Sequence, residues 1–213
     1  MGGLGQYRVK RLFAYSTISH VGFLLLALAI NSEYSVDAFL FYIVQYSLTN
    51  VDAFFVILAF GYLINGSNTS SNTTLRGDTY DIQFISQLSG GFRVNPVLGL
   101  SLGICLFSMA GVPPMVGFFA KYTVLYTAIN NGYMYMAVVA ILASVVSAGY
   151  YLRVIRVIHF SDNTIYHNTG TAPLGHVHSY VISTLTLAIV LFAAAPNLII
   201  NSTSIMALSM YST

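Results

Sequence analysis

Between Leu12 and Ile30 the chain runs for nineteen residues without an aspartate, glutamate, lysine or arginine. Such a run matches the roughly 20 residues an α-helix needs to cross the hydrocarbon of a bilayer. In that medium backbone amides and carbonyls must be satisfied by the chain itself, so the run must be helical. Ala38–Ile64, interrupted only by Asp52, is long enough to span with tilt, and Met134–Leu152 and Tyr180–Ile200 are further spans. Val97–Val112 and Met115–Asn130 are two apolar stretches of sixteen residues each. Each would be about 24 Å long, short for the hydrocarbon.

Composition agrees with lipid as the solvent. Only 7% of the 213 residues are charged and 56% are hydrophobic, against about 25% charged in a soluble domain. Mean hydropathy is +0.74. Eight basic and six acidic residues are too sparse for a nucleic-acid footprint. One cysteine, Cys105, excludes a disulfide framework and a multi-cysteine metal or iron–sulfur site. The first apolar run lacks the small-residue cleavage site of a signal peptide. The short Gly-rich lead from Met1 to Gly5 reads as the middle of a larger architecture. The fold class expected is all-α: a polytopic membrane protein of about six transmembrane segments, forming one membrane domain over residues 1–213.

Polar punctuation separates the segments. Asn31-Ser32-Glu33 is a turn, Asn65–Thr74 reads as a solvated loop continuing to about Asn95, and Asn163–His178 reads as a second loop. The tail, Asn201–Thr213, is short and weakly amphipathic. Gly111-Val112-Pro113-Pro114 breaks the backbone, because two prolines remove two amide donors and bias the preceding residues out of the α basin. A break of this kind is expected to be enclosed by neighbouring helices. Counting five elements puts Arg8, Lys10, Arg11, Arg76, Arg93, Arg153 and Arg156 on one face, as the positive-inside rule prefers. Counting six moves Arg153 and Arg156 across, yet Val97–Asn130 is too long for one span.

A few polar residues lie inside the apolar runs. Lys121 follows Pro114 by seven residues; a lysine in the bilayer is expensive and marks a pathway unless it snorkels to an interface. A lysine that can give up its proton suits proton relay. Gln45, Thr49 and Asp52 recur at helical spacing, forming either an interhelical clamp or part of a pathway. His20, after Ser16, Thr17 and Ser19, is either a packing residue or a proton carrier. Lys10 and Arg11 read as interfacial anchors. His167, His176 and His178 match no regular metal-ligand spacing and read as exposed loop residues. Glycosylation sequons at Asn65, Asn68, Asn72 and Asn201 are matches that a tract rich in Asn and Thr produces by chance.

Lys10-Arg11-Leu-Phe-Ala-Tyr-Ser-Thr-Ile-Ser-His20-Val-Gly resembles the opening of the second five-helix repeat in the antiporter-like (Mrp-type) subunits of respiratory complex I. Phe107-Ser-Met-Ala-Gly-Val-Pro-Pro-Met-Val-Gly-Phe-Phe-Ala-Lys121 resembles that family's second signature. The likeness covers essentially the whole chain and is nearest to mitochondrial members. It implies the second repeat plus the final helix of a fourteen-helix protein built from two inverted repeats. Lys121 would fall on the broken-helix lysine and His20 on the histidine or glutamine of the first motif. Asp52 stands where a neutral residue is expected, so no role carries over to it.

The resemblance further implies proton translocation coupled to NADH:ubiquinone oxidoreduction in the mitochondrial inner membrane. Lys121, His20 and Asp52 are the candidate proton path. No cofactor is expected on this chain; NAD, FMN, iron–sulfur clusters and ubiquinone belong to other subunits. The expected partners are other membrane-arm subunits, including neighbouring antiporter-like ones, a chain supplying the missing N-terminal half, and lipid. A fragment of a standalone cation/proton antiporter shares both signatures. A purely structural scaffold would leave Lys121 and the proline pair unexplained.

Overall fold

The computed structural model describes residues 2–65, 82–161, 175–192 and 197–211. Eight α-helices follow in chain order among them. They are α1 (Val9–Ile30), α2 (Glu33–Asn65), the single turn α3 (Gly91–Val94), α4 (Pro96–Ala110), α5 (Val116–Asn130), α6 (Met134–Phe160), α7 (His176–Leu191) and α8 (Asn197–Tyr211). The six apolar segments read from the sequence are helical as α1, α2, α4, α5, α6 and α7. Of these, α1, α2 and α6 are long and apolar enough to cross a membrane unaided. The chain is a multi-pass membrane protein.

The helix boundaries follow local chemistry. Asn31 adopts a left-handed φ of 49° and stops α1. Ser32 and Ser35 then bond reciprocally: the Ser35 amide donates to Ser32 Oγ (3.3 Å) and the Ser32 amide to Ser35 Oγ (2.8 Å). This cap, with Glu33 in the first turn, starts α2 five residues before the expected Ala38. Asn95 caps α4 by accepting from the Leu98 amide (3.3 Å), with Pro96 at the first helical position. Val154, Ile155 and Ile158 stay buried past Leu152, so α6 continues to Phe160 and carries both arginines.

Three expectations need correction. The segment before Asn95 is not all solvated loop: Ile82, Ile85 and Leu88 are core residues. The Ile85 amide donates to the Tyr7 carbonyl (2.9 Å), and Val9 to Gln83 (3.0 Å). Arg76 lies outside the described residues. His176 and His178 do not belong to a loop but to the first turn of α7, while His167 lies outside the described residues. The last span does not run from Tyr180 to Ile200, and Asn201–Thr213 is not a tail. α7 ends at Leu191 and a separate helix, α8, covers Asn197–Tyr211 and packs on α2. Pro196, in the sequence between them, cannot donate to a continuing helix and disfavours helix at the residue before it.

The charge conflict resolves in space. Arg153 donates from Nη1 to the Leu4 carbonyl (3.0 Å) and sits 5.0 Å from the Tyr7 ring. Arg8 pairs across to Phe84. Arg8, Lys10, Arg11, Arg93 and Arg153 therefore gather at one end. At the other end the α1–α2 and α5–α6 turns meet, Asn131 Nδ2 donating to Ser32 Oγ (3.5 Å). α4 and α5 together carry the chain between these ends.

α2 is the spine, contacting α1, α4, α5, α7 and α8. The α4–α5 contact is close: a Cβ at Gly117 would lie 1.8 Å from the Ser108 carbonyl oxygen. Gly22, also helical, has nothing within 4 Å of the same position. Gly117→Ala is expected to destabilise the protein by about 1–3 kcal/mol through overpacking, whereas Gly22→Ala is neutral or better. Thermal unfolding of the detergent-extracted protein, with yield from membranes, checks the pair.

Candidate functional site

The break between α4 and α5 determines the surroundings of Lys121. Gly111 ends α4 at φ 84°, its amide donating to Phe107 (3.1 Å) and Ser108 (3.0 Å) carbonyls. In a continuing helix the carbonyls of Met109 and Ala110 would accept from residues 113 and 114. Both are prolines and have no N–H to give. Lys121 Nζ takes their place, donating to the Met109 carbonyl (3.0 Å) and the Ala110 carbonyl (2.9 Å). The side chain reaches them past Gly111, where a Cβ would stand 3.0 Å from Lys121 Cδ. Lys121 is 8% exposed, and no acidic side chain contacts it among the described residues.

The break itself is not enclosed as expected. Val112, Pro113 and Pro114 are exposed on the described chain. The physical reason is that little in this loop needs cover: the prolines lack donors, and the Met115 amide closes onto the Val112 carbonyl (3.0 Å). What is enclosed is the inner edge, where the unpaired carbonyls and Lys121 meet.

His20, on α1, is buried with both ring nitrogens engaged. Nδ1 lies 2.8 Å from the Tyr42 hydroxyl and Nε2 lies 3.1 Å from the Tyr151 hydroxyl. Tyr151 also bonds to Ser16 Oγ, and Tyr46 stacks on the imidazole at 4.5 Å. The result is a line of exchangeable groups, Ser16–Tyr151–His20–Tyr42, joining α1, α2 and α6. Lys121 lies close to it: Nζ is 5.8 Å from the Phe23 ring centroid, and Phe23 stacks on Tyr42 at 5.8 Å.

The α2 stripe faces α4. Gln45 Nε2 donates to Ser108 Oγ (3.4 Å), which accepts also from the Gly117 amide (3.2 Å). Thr49 donates to the carbonyls of Gln45 (3.0 Å) and Tyr46 (3.1 Å). Asp52 is fully buried and faces protein, as the stripe requires; its Oδ2 accepts from the Cys105 thiol (3.1 Å). Its Oδ1 is buried and has no partner among the described residues. Asp52 lies ten residues along α2 from Tyr42, about 15 Å at helical rise. The structure thus brings Lys121 and His20 together and leaves Asp52 at a separate site.

Sequence reasoning missed Tyr42, Tyr151 and Ser108. Nothing in the sequence separates Tyr42 and Tyr151 from the other fourteen of sixteen tyrosines. The carbonyls that hold Lys121 were legible in principle, four residues before each proline. His176 is exposed, and His178 lies against Phe55 and Tyr62 rather than near this site. Asn201 sits on α8, while Asn68 and Asn72 lie outside the described residues.

Residues 1–148 match the family model described as NADH:quinone oxidoreductase/Mrp antiporter, TM. The chain is 50% identical over 234 aligned positions to the NADH-ubiquinone oxidoreductase chain 2 of Rhizopus oryzae, covering 99% of this chain and 43% of that one. It is 33% identical to NADH-quinone oxidoreductase subunit N of Rhodospirillum rubrum, covering 92% of this chain and 37% of that one. It therefore spans less than half the length of these relatives. Among solved structures it superposes on a chain of the membrane-bound sulfane sulfur reductase, an archaeal respiratory membrane complex, with a TM-score of 0.80. Sequence identity there is 25%, over 97% of this chain and 38% of that one. With more than half of its residues matched by that family model, this chain belongs to the NADH:quinone oxidoreductase/Mrp antiporter transmembrane family.

Proposed function

We propose that this chain forms the second-repeat part of a membrane-arm subunit of proton-pumping NADH:ubiquinone oxidoreductase in the mitochondrial inner membrane. In this reading Lys121 exchanges a proton with a hydrated polar path that includes His20 and Asp52. NAD, FMN, iron–sulfur clusters and ubiquinone are held by other subunits. The partners are neighbouring antiporter-like subunits and the polypeptide that supplies the first repeat. The two relatives named as oxidoreductase chains weigh for this over a standalone cation/proton antiporter.

The observation that carries the reading is the hydrogen bonding of Lys121. An ammonium has three N–H donors, of which two go to Met109 and Ala110 and one is left for a passing water or polar group. A neutral amine keeps two N–H donors, still enough for both carbonyls, and turns a lone pair to the same place. Either protonation state thus satisfies the broken backbone, and the proton can come and go without a change in fold. His20 has the same property. Tyrosine hydroxyls donate or accept, so both imidazole tautomers fit between Tyr42 and Tyr151. A proton entering at one nitrogen and leaving at the other needs only hydroxyl rotation.

Asp52 adds a third station, a carboxyl group nearer the basic end. Its free Oδ1 is a place where a water or a mobile proton donor is needed. The competing role is a clamp between α2 and α4 through Cys105.

Lys121→Met removes the donor to two carbonyls, costing about 1–3 kcal/mol of stability. Assembled complex should fall modestly, while proton pumping and coupled NADH oxidation fall together by roughly ten- to a hundred-fold. Lys121→Arg keeps a donor for both carbonyls but hardly releases a proton near neutral pH. It should restore assembly and little of the pumping. Measuring NADH oxidation and the proton gradient in membranes of each variant decides this, and wild-type pumping in Lys121→Met would reduce the lysine to a backbone clasp.

Asp52→Asn retains a carbonyl oxygen to accept from Cys105 and is expected to assemble normally. A several-fold loss of pumping with assembly intact supports the path. Unchanged pumping, with lowered thermal stability, assigns Asp52 to the clamp.

A further inference from the structure

A cavity of about 400 Å³ opens where the start of α2 meets the end of α5. Tyr34, Asp37, Tyr122, Tyr126, Asn130 and Asn131 line it. It lies at the polar turns joining α1 to α2 and α5 to α6, which the Asn131–Ser32 hydrogen bond holds together. This is the level at which a spanning helix leaves hydrocarbon and enters the headgroup layer. Nothing in the proton path uses it.

Its chemistry is unusual for a chain with so few charges. Asp37 is half-buried, and its Oδ1 is shielded from solvent with no partner among the described residues. An aspartate placed so lacks its counter-charge. Tyr34, Tyr122 and Tyr126 line the same cavity, and the π-face of an aromatic ring attracts a cation. Rings contributed by two helices, α2 and α5, together with a carboxylate in the same cavity suit an alkylated ammonium. Asn130 and the tyrosine hydroxyls of the same cavity can donate to the phosphate that follows the ammonium in a choline headgroup. Down α5, Phe118, Tyr122 and Tyr126 form a stacked ladder, with centroids 6.3 Å and 6.0 Å apart. Tyr122 and Tyr126 are more than half exposed, at 54% and 55%. The ladder leads from the cavity toward the break and offers an apolar track into the membrane.

We infer that this cavity binds a phospholipid through a choline headgroup, with the quaternary ammonium between Asp37 and the tyrosines and an acyl chain along the Phe118–Tyr122–Tyr126 ladder. The inference is independent of the role of Lys121. The occupant follows from location and charge. The site sits in the headgroup layer, asks for a positive end with a negative group beside it, and continues into an apolar track. A soluble cation would use the cage but not the ladder.

The test uses the detergent-extracted membrane assembly that carries the chain, in mixed micelles of phosphatidylcholine and phosphatidylglycerol. Lipid retained after detergent exchange is counted by native mass spectrometry. Phosphatidylcholine retention should fall roughly three-fold or more in Asp37→Asn and in Tyr122→Leu with Tyr126→Leu. It should persist in Tyr126→Phe, which keeps the ring face, and in Tyr135→Leu, an exposed tyrosine on α6 outside the cavity. Free choline should compete only weakly, because it lacks the acyl chain. The inference is overturned if the cavity variants retain phosphatidylcholine as the wild type does, or if phosphatidylglycerol is preferred. It is overturned equally if free choline displaces the lipid at similar concentration, or if a photo-crosslinker at Tyr126 captures a neighbouring protein chain rather than lipid.

Discussion

Pro113 and Pro114 supply no amide hydrogen, so the carbonyls of Met109 and Ala110 have no donor one turn on within their own helix. An unsatisfied buried carbonyl costs about 1–3 kcal/mol. Lys121 answers both from the next helix. The remaining local features follow from that reach. Gly111 must turn through a left-handed φ and leave room for the lysine stem. α5 must start hard against the end of α4, which only a glycine at position 117 permits. Ser108 fills the gap between them, taking the Gly117 amide and the Gln45 side chain on one hydroxyl.

This arrangement couples a charge to the backbone rather than to a carboxylate. An ion pair in hydrocarbon would fix the lysine's proton, because removing it would strand the partner's charge. Two carbonyls exert a weaker hold, since a neutral amine can still donate to both, though less strongly than an ammonium. The same economy of charge marks the His20 cluster, where the imidazole sits between hydroxyls that can each donate or accept. Both sites hold a titratable side chain among neutral hydrogen-bonding groups rather than against an opposite charge.

Much of the fold was legible because lipid makes the code blunt. A charge-free run of nineteen residues in water has many fates; in hydrocarbon it has one. The termini were harder. α2 starts at Glu33 because Ser32 and Ser35 cap each other, and side-chain reciprocity of that kind is a matter of geometry. Ile82, Ile85 and Leu88 joined the core because strand-like pairing of Gln83 and Ile85 with Val9 and Tyr7 brought them there, a contact between residues some seventy-five positions apart. Arg8, Lys10, Arg11 and Arg153 lie at one end, a grouping that the sequence count of segments left open. The two helices flanking the break are fifteen residues each, and their lengths are set by the break rather than by the bilayer.

The sequence by itself determined that this chain lives in a bilayer, where its backbone must break, and that Lys121, His20 and Asp52 would be buried polar groups in need of partners. These follow from transfer energies and from the missing amide of proline, which act on each residue whatever its neighbours. Only the tertiary structure decided who the partners are. It set Lys121 on the carbonyls of its own broken helix, His20 between two tyrosines from different helices, and Asp52 against Cys105 with one oxygen left over. Hydrogen bonds depend on fractions of an ångström and on the rotation of each helix about its axis, and hydrophobic patterning in a nearly uniform apolar sequence does not specify that rotation.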